Sequence, residues 1–287
     1  MIPGFVIFLR EGVEGSMVVA ILLAYLARID RREHFRDVFL GVGAALALAL
    51  VGGLVAYVTI RTYAGSTAQT IFETATYLLA TALLTYMTFW MRAHARHLSR
   101  ELHQQLERAM GRRARWSLGL VAFQAVGREG LETVVFTLAL VFTATLPGTP
   151  SPVAASGLGV LTGGALGLLT AIALAYAVYR MGRRLNLQRF FQVLGACLIV
   201  FAAGLLADSV ENLQQLGWLT LWRHPLWSTA GALSEASPVG DVLHTFFGYA
   251  DRPTLLQLAA YVLYLAVTVV AFLGRGPRRR RGALATG

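Results

Sequence analysis

Two short charged strings stand inside otherwise apolar stretches of this chain: Arg10-Glu11-Gly12-Val13-Glu14 and Arg128-Glu129-Gly130-Leu131-Glu132. On a helix turning 100° per residue, the two glutamates of each string lie about 60° apart and one turn from each other. The arginine precedes the second glutamate by four residues, so the three charges share an arc of roughly 100°. The glycine points away from that arc, toward a side where another helix can come close. Four carboxylates against two guanidiniums leave a formal charge of −2, which a multivalent cation or protons would balance. Carboxylate oxygens are hard donors, suited to hard cations rather than to Cu(I). The chemistry on offer is therefore cation binding or a proton relay, or else a pair of purely structural Arg–Glu locks.

The apolar surroundings sharpen that choice. A charged side chain at the centre of a bilayer costs about 2.5–3.5 kcal/mol on insertion scales. Six of them would cost on the order of 15–20 kcal/mol if unpaired, more than the whole stability of a typical fold. They must face one another or a wet path, and a structural lock would need only one glutamate per arginine.

The elements that hold these strings are membrane helices. Of 287 residues, 56% are hydrophobic and only 14% charged, with a mean hydropathy of +0.60; soluble domains carry about a quarter charged residues. Seven apolar runs, near 4–27, 37–60, 70–91, 116–145, 153–179, 190–213 and 254–274, are each long enough to cross a ~30 Å hydrocarbon core. Only helices and closed barrels can span lipid, and runs this long are helical. The expected fold is all-α integral membrane, with seven transmembrane helices. The charged strings fall in the first and fourth runs, hence in helices of opposite direction. That pattern predicts an inverted three-plus-three helix repeat with its site near the midplane, followed by a seventh helix. The chain then divides into a first three-helix unit (1–91), a cytoplasmic loop (92–115), a second unit (116–213), an external segment (214–253), and the seventh helix with a basic tail (254–287).

Every one of the 25 basic residues is arginine. They crowd into 28–36, 92–115, 180–189 and the tail with Arg275 and Arg278 to Arg281, whereas the alternate segments hold Arg61, Arg223 and Arg252. Basic loops stay cytoplasmic, which puts the N-terminus outside and the C-terminus inside. The net charge of +10 is thus a mark of topology, not of nucleic-acid binding. Arg10, Glu11 and Glu14 interrupt the first run, unlike the clean apolar core of a cleaved signal peptide. The tail suits anionic lipid, and Trp218, Trp222 and Trp227 in the external segment suit the membrane interface. The 92–115 loop is expected to form an amphipathic helix. Gly159, Gly163 and Gly167, four apart, suit close helix packing. The lone Cys197 allows neither an intrachain disulfide nor a thiolate cluster. Neither a P-loop nor an H-E-x-x-H string is present, which argues against ATP hydrolysis, zinc proteolysis and an enzyme altogether.

At the doubled string, the chain resembles the oxidase-dependent iron permease family of fungi and bacteria, whose hallmark is R-E-G-L-E in the first and fourth of seven transmembrane helices. The second copy matches fully; the first has Val13 in place of leucine. The stretch from Pro225 through Leu243-His244 and Gly248-Tyr249 to Pro253 also resembles the bacterial branch. The resemblance implies a permease of the bacterial plasma (inner) membrane that receives Fe(III) from an external or periplasmic oxidase or iron-delivery protein. Iron is then the transported substrate, with no cofactor held permanently. Glu11, Glu14, Glu129 and Glu132 become its ligands, and Arg10 and Arg128 their charge partners. Asp208-Ser209-Val210-Glu211 resembles the family's external D-x-x-E element, and Glu73 would join Asp208 and Glu211 in a vestibule; solvated helix ends explain the same three residues. His94, His97 and His103 read as polar residues of the cytoplasmic loop or as an exit site. His224 and His244 are external and equally ambiguous. Two rivals remain from the sequence: a proton-coupled carrier of another divalent cation such as Mn²⁺, and a non-transporting membrane anchor for an external oxidase.

Overall fold

A computed structural model of the chain describes residues 2–63, 65–94, 114–143, 153–181, 187–235 and 237–274. Among the described residues there are seven long helices and one short one: α1 (Ile2–Arg28), α2 (Phe35–Arg61), α3 (Thr67–His94), α4 (Ala114–Thr143), α5 (Val153–Met181), α6 (Leu187–Gln215), α7 (Pro238–Phe247) and α8 (Leu255–Gly274). The long helices fall on the seven expected runs to within a turn at each end. No β-strand occurs among the described residues beyond an isolated bridge between Pro225 and Thr254. The helix expected inside 92–115, with His97 and His103, and the arginine tail lie outside the described residues.

Three helical stretches are by themselves long and apolar enough to cross a membrane: Arg32–Ile60, Gln192–Gln215 and Leu255–Phe272. Only 17% of the first and 11% of the last is buried, against 61% of the middle one. α2 and α8 are therefore peripheral and α6 central. The periphery is greasy, with Leu40, Leu50, Leu263 and Val270 among its exposed side chains. Such a continuous apolar surface is suited to lipid and not to water. In α1 and α4 the charged strings themselves interrupt the apolar run.

The helices pair reciprocally. α1 packs most extensively on α5, α2 on α4 and α3 on α6, while α8 lies against α6. Glycines permit the first two pairings. A Cβ on Gly12 would stand 2.8 Å from the Cβ of Ala171 on α5, and one on Gly130 would stand 2.9 Å from the Cβ of Ala49 on α2. The motif glycine thus plays the same part in both copies, on the side away from the charges. From the small-residue stripe on α5, a Cβ on Gly167 would meet the Phe5 carbonyl oxygen at 2.5 Å. Two apolar clusters flank the charged strings along the helices. Ile7 and Phe136 belong to one, with Tyr77, Leu84 and Leu198; Leu22 and Leu118 belong to the other, with Leu26 and Val38.

The segment 214–253 contains an element absent from the sequence expectations. α7 has a Ser237 N-cap whose side chain accepts a hydrogen bond from the Gly240 N–H, a proline at its start, and Gly248 at its end in the left-handed region, φ 66°. Each feature is a normal helix boundary device. α7 packs on α6 and also touches α1 and α4. Trp218, Trp222 and Trp227 are exposed.

Close approach at Gly167 predicts that Gly167→Ala lowers stability by about 1–3 kcal/mol, since backbone atoms must move to admit the methyl. Gly15→Ala on the same helix pair's open side meets nothing within 4 Å and should be neutral or stabilising by up to about 1 kcal/mol. Thermal unfolding in detergent separates them; equal losses would contradict the packing described.

Candidate cation site

α1 and α4 bring the two charged strings face to face. Carboxylate oxygens of Glu11, Glu14 and Glu129 all lie within 4.8 Å of one another. Residues 115 or more apart in the chain therefore converge on one point, inside two apolar clusters. Glu11, Glu14 and Glu132 are buried, and the Glu129 side chain is 14% exposed. Glu132 stands outside the tight trio, yet it is the carboxylate that acts most strongly on Glu14.

Each string carries its own compensation, arranged alike. Arg10 Nη1 donates to Glu11 Oε1 at 3.1 Å, and Arg10 Nε stands 3.1 Å from Glu14 Oε1. Arg128 Nε donates to Glu132 Oε1 at 3.1 Å and lies 3.8 Å from Glu129 Oε1. The i,i+4 contact is 3.1 Å in both copies, as helical spacing allows; the i,i+1 contact equals it in the first copy and is longer in the second. The copies differ in depth: the Arg10 side chain is 3% exposed and that of Arg128 44%. Arg128 leans on α3, where its Nη2 donates to Met87 Sδ at 2.8 Å and its guanidinium sits 5.1 Å from the Trp90 ring centre. A cation over an indole face is attracted by the ring quadrupole.

Two arginines do not exhaust four carboxylates. Glu11 Oε2, Glu129 Oε2 and Glu132 Oε2 are buried with no hydrogen-bond partner. A charged oxygen kept from water without a partner is costly. Those of Glu11 and Glu129 are hard donors within the tight trio, which is what a multivalent cation needs. The arrangement can hold such an ion, and it has nothing resembling a nucleophile or a general base poised against one.

A second acidic group lies toward the C-terminal end of α6. Asp208 and Glu211 are half-buried there. Glu211 is fixed by Gln257 Nε2 on its Oε2 at 2.8 Å and by Gln215 Nε2 on its Oε1 at 3.2 Å. Among the charges that act on Asp208 the first is His244, followed by Glu211 and Glu235. Glu73 does not join that list. Its Oε1 is bound by Gln69 Nε2 at 2.7 Å, and it shares with Asp208 and Glu211 only the neighbourhood of buried Tyr77. From Tyr77 to Met87, the level of Arg128, is ten residues, or about 15 Å along α3.

Several of these participants have no obvious mark in the sequence. Met87 and Trp90 look like ordinary apolar residues until Arg128 reaches them. Thr74, Tyr77, Thr81, Thr85 and Thr88 follow helical spacing on α3, a polar stripe that could have been read. Thr81 donates to the Ala202 carbonyl of α6, and buried Thr88 Oγ1 has no partner. His224 is exposed and His244 buried, a distinction invisible in the sequence.

Greasy outer helices around a charged interior are the build of a polytopic membrane protein. More narrowly, the chain belongs to the Iron permease FTR1 family, which it matches over residues 1–276. It is 33% identical over 278 residues to the ferrous iron permease EfeU of Escherichia coli O6:H1, covering 95% of each chain. It is 33% identical to EfeU of Shigella sonnei, again across 95% of both. With EfeU of Yersinia pestis it shares 32% identity over 277 residues, 95% of this chain and 93% of the other. No solved structure matches the chain.

The ion-pair geometry predicts unequal costs for the two arginines. Arg10→Met leaves Glu11 and Glu14 buried and uncompensated and should cost about 3–5 kcal/mol. Arg128→Met should cost clearly less, because that side chain is open. Thermal unfolding of the two purified variants tests this; equal losses would contradict the asymmetry.

Proposed function

We propose that this chain is an iron permease of the bacterial plasma membrane, moving iron into the cytoplasm through Glu11, Glu14 and Glu129 with Glu132 beside them. The observation that carries this reading is the convergence of three carboxylates from two distant strings, with free oxygens, inside an apolar bundle. Family membership supplies iron as the cargo; the donor set by itself asks only for a hard cation. The N-terminus lies outside and the C-terminus inside, with two inverted three-helix units, 1–91 and 116–213, joined by the 92–115 loop and followed by α8. Reciprocal pairing of α1 with α5 and α2 with α4 supports that symmetry, as does the matched role of Gly12 and Gly130.

Arg10 and Arg128 keep the empty site neutral enough to exist. As an ion enters, each carboxylate exchanges a guanidinium contact for a metal contact without refolding. Asp208 and Glu211 gather the ion at the outer mouth, with Glu73 at its edge. A formal site charge of −2 is balanced by Fe(II), and the EfeU relatives are named ferrous iron permeases. A second reading, Fe(III) supplied by an external oxidase or iron-delivery protein, is favoured by the all-oxygen donor set. A mere anchor for an oxidase would have no use for buried carboxylates.

Proteoliposomes with radio-iron test the proposal. Wild-type protein should accumulate iron, and Glu11→Gln or Glu129→Gln should reduce uptake to background while the variants still reach the membrane. Normal uptake by either variant would overturn the ligand assignment. Running the assay with an Fe(II) chelator or an Fe(III) chelator outside distinguishes the two valences. Inhibition by Mn²⁺ at the same concentration as unlabelled iron would instead favour a general divalent carrier.

A further inference from the structure

The outer acidic group contains a nitrogen donor that the iron-permease reading does not use. His244 is 5% exposed. Its Nδ1 lies 2.8 Å from the backbone carbonyl oxygen of Tyr249. A carbonyl only accepts, so Nδ1 carries the hydrogen, and in the neutral ring Nε2 holds a bare lone pair. No hydrogen bond to Nε2 occurs among the described residues. An imidazole whose far N–H is pinned to a backbone carbonyl is the arrangement metal-binding histidines adopt.

The fold aims that ring at the acids. Gly204 on α6 and Gly248 at the end of α7 meet backbone to backbone: a Cβ on Gly204 would stand 2.9 Å from the Gly248 Cα. Asp208 lies one turn beyond Gly204, and His244 one turn before Gly248. Docking the glycines therefore sets His244 beside Asp208. The charges that act on the ring are, in order, Asp208, Glu235 and Glu211. Glu235 is held in place by the Asp251 N–H on its Oε1. No ion pair joins the ring to any of the three among the described residues, and these donors are not drawn as close together as those of Glu11, Glu14 and Glu129.

We propose that His244 is a metal ligand of the outer mouth, and that His244, Asp208 and Glu211 form a mixed nitrogen–oxygen site that admits Fe(II) in preference to Ca²⁺ and Mg²⁺. An oxygen-only vestibule would suit calcium and magnesium as well as iron; imidazole suits iron and is a poor partner for both of those ions. Selection at the mouth then relieves the oxygen-only inner site of discriminating among hard cations. This rests on the iron-permease reading for the identity of the cargo, although not for the ligation itself.

The test uses the full chain and His244→Asn, whose amide can still donate to the Tyr249 carbonyl but offers nothing at the Nε2 position. In a Glu129→Gln background, substoichiometric Mn²⁺ serves as the probe, read by pulsed electron paramagnetic resonance. The parent should show nitrogen coupling to the bound metal, and His244→Asn should lose it at an unchanged melting temperature. In proteoliposomes with Glu129 intact, His244→Asn should become at least about tenfold more sensitive to inhibition of iron uptake by Ca²⁺, the scale on which losing a hydrogen bond to a metal ligand already acts. Nitrogen coupling that persists in His244→Asn, or is missing from the parent, overturns the proposal, as does unchanged calcium sensitivity. Should the wild type carry no iron at all while the coupling appears and depends on His244, the ligand assignment stands and the transport reading alone fails.

Discussion

Charge inside a low-dielectric bundle has to be answered locally, and the Arg10 guanidinium between Glu11 and Glu14 is where this structure answers it. Coulomb attraction at such depth is strong, but so is the cost of stripping water from both partners. The balance holds only when geometry is good. One helical turn supplies that geometry, since Nε reaches the i+4 carboxylate at 3.1 Å in both copies. Everything else serves to keep the two turns opposed and dry. The apolar clusters around Ile7 and Phe136 and around Leu22 and Leu118 exclude water along the helix axes.

Bringing the turns together requires that each face away from a tightly packed side. Gly12 and Gly130 make that possible, because Ala171 and Ala49 occupy the space a side chain would need. The string R-E-G-x-E thus encodes two opposite surfaces of one helix, one ionic and one bare. Compensation is nonetheless unequal. Arg10 is sealed, whereas Arg128 is spread between Glu132, Met87 and the Trp90 face. A guanidinium with several alternative partners releases a carboxylate more easily than one locked between two. The second copy is in that sense the looser half of the site.

The acidic group around Asp208 and Glu211 is built on a different principle. Its acids are half-buried and are fixed by neutral amides: Gln257 and Gln215 hold Glu211, and a backbone N–H holds Glu235. Amide donors orient a carboxylate without cancelling its charge, so the group stays attractive to cations. α7 supplies the lining from outside the seven long helices. Its caps, Ser237 and Gly248, make a ten-residue helix definite enough to dock, and the Gly204–Gly248 contact decides where.

Much was fixed by local pattern alone. Apolar run length determined the seven helices, because an unpaired backbone cannot survive in lipid and the run must be helical throughout. The spacing of Arg10, Glu11, Gly12 and Glu14 determined which groups share a face, because helical periodicity is a property of a few consecutive residues. Even α7 is written locally, in Ser237-Pro238 and Gly248. Tertiary structure decided what depends on residues far apart in the chain. It chose Glu129 rather than Glu132 as the third member of the tight trio, and buried His244 while leaving His224 exposed. It also gave Arg128 its partners on α3. Those outcomes turn on how helices pack against each other, and packing is set by the summed shapes of many side chains, which no single spacing reveals.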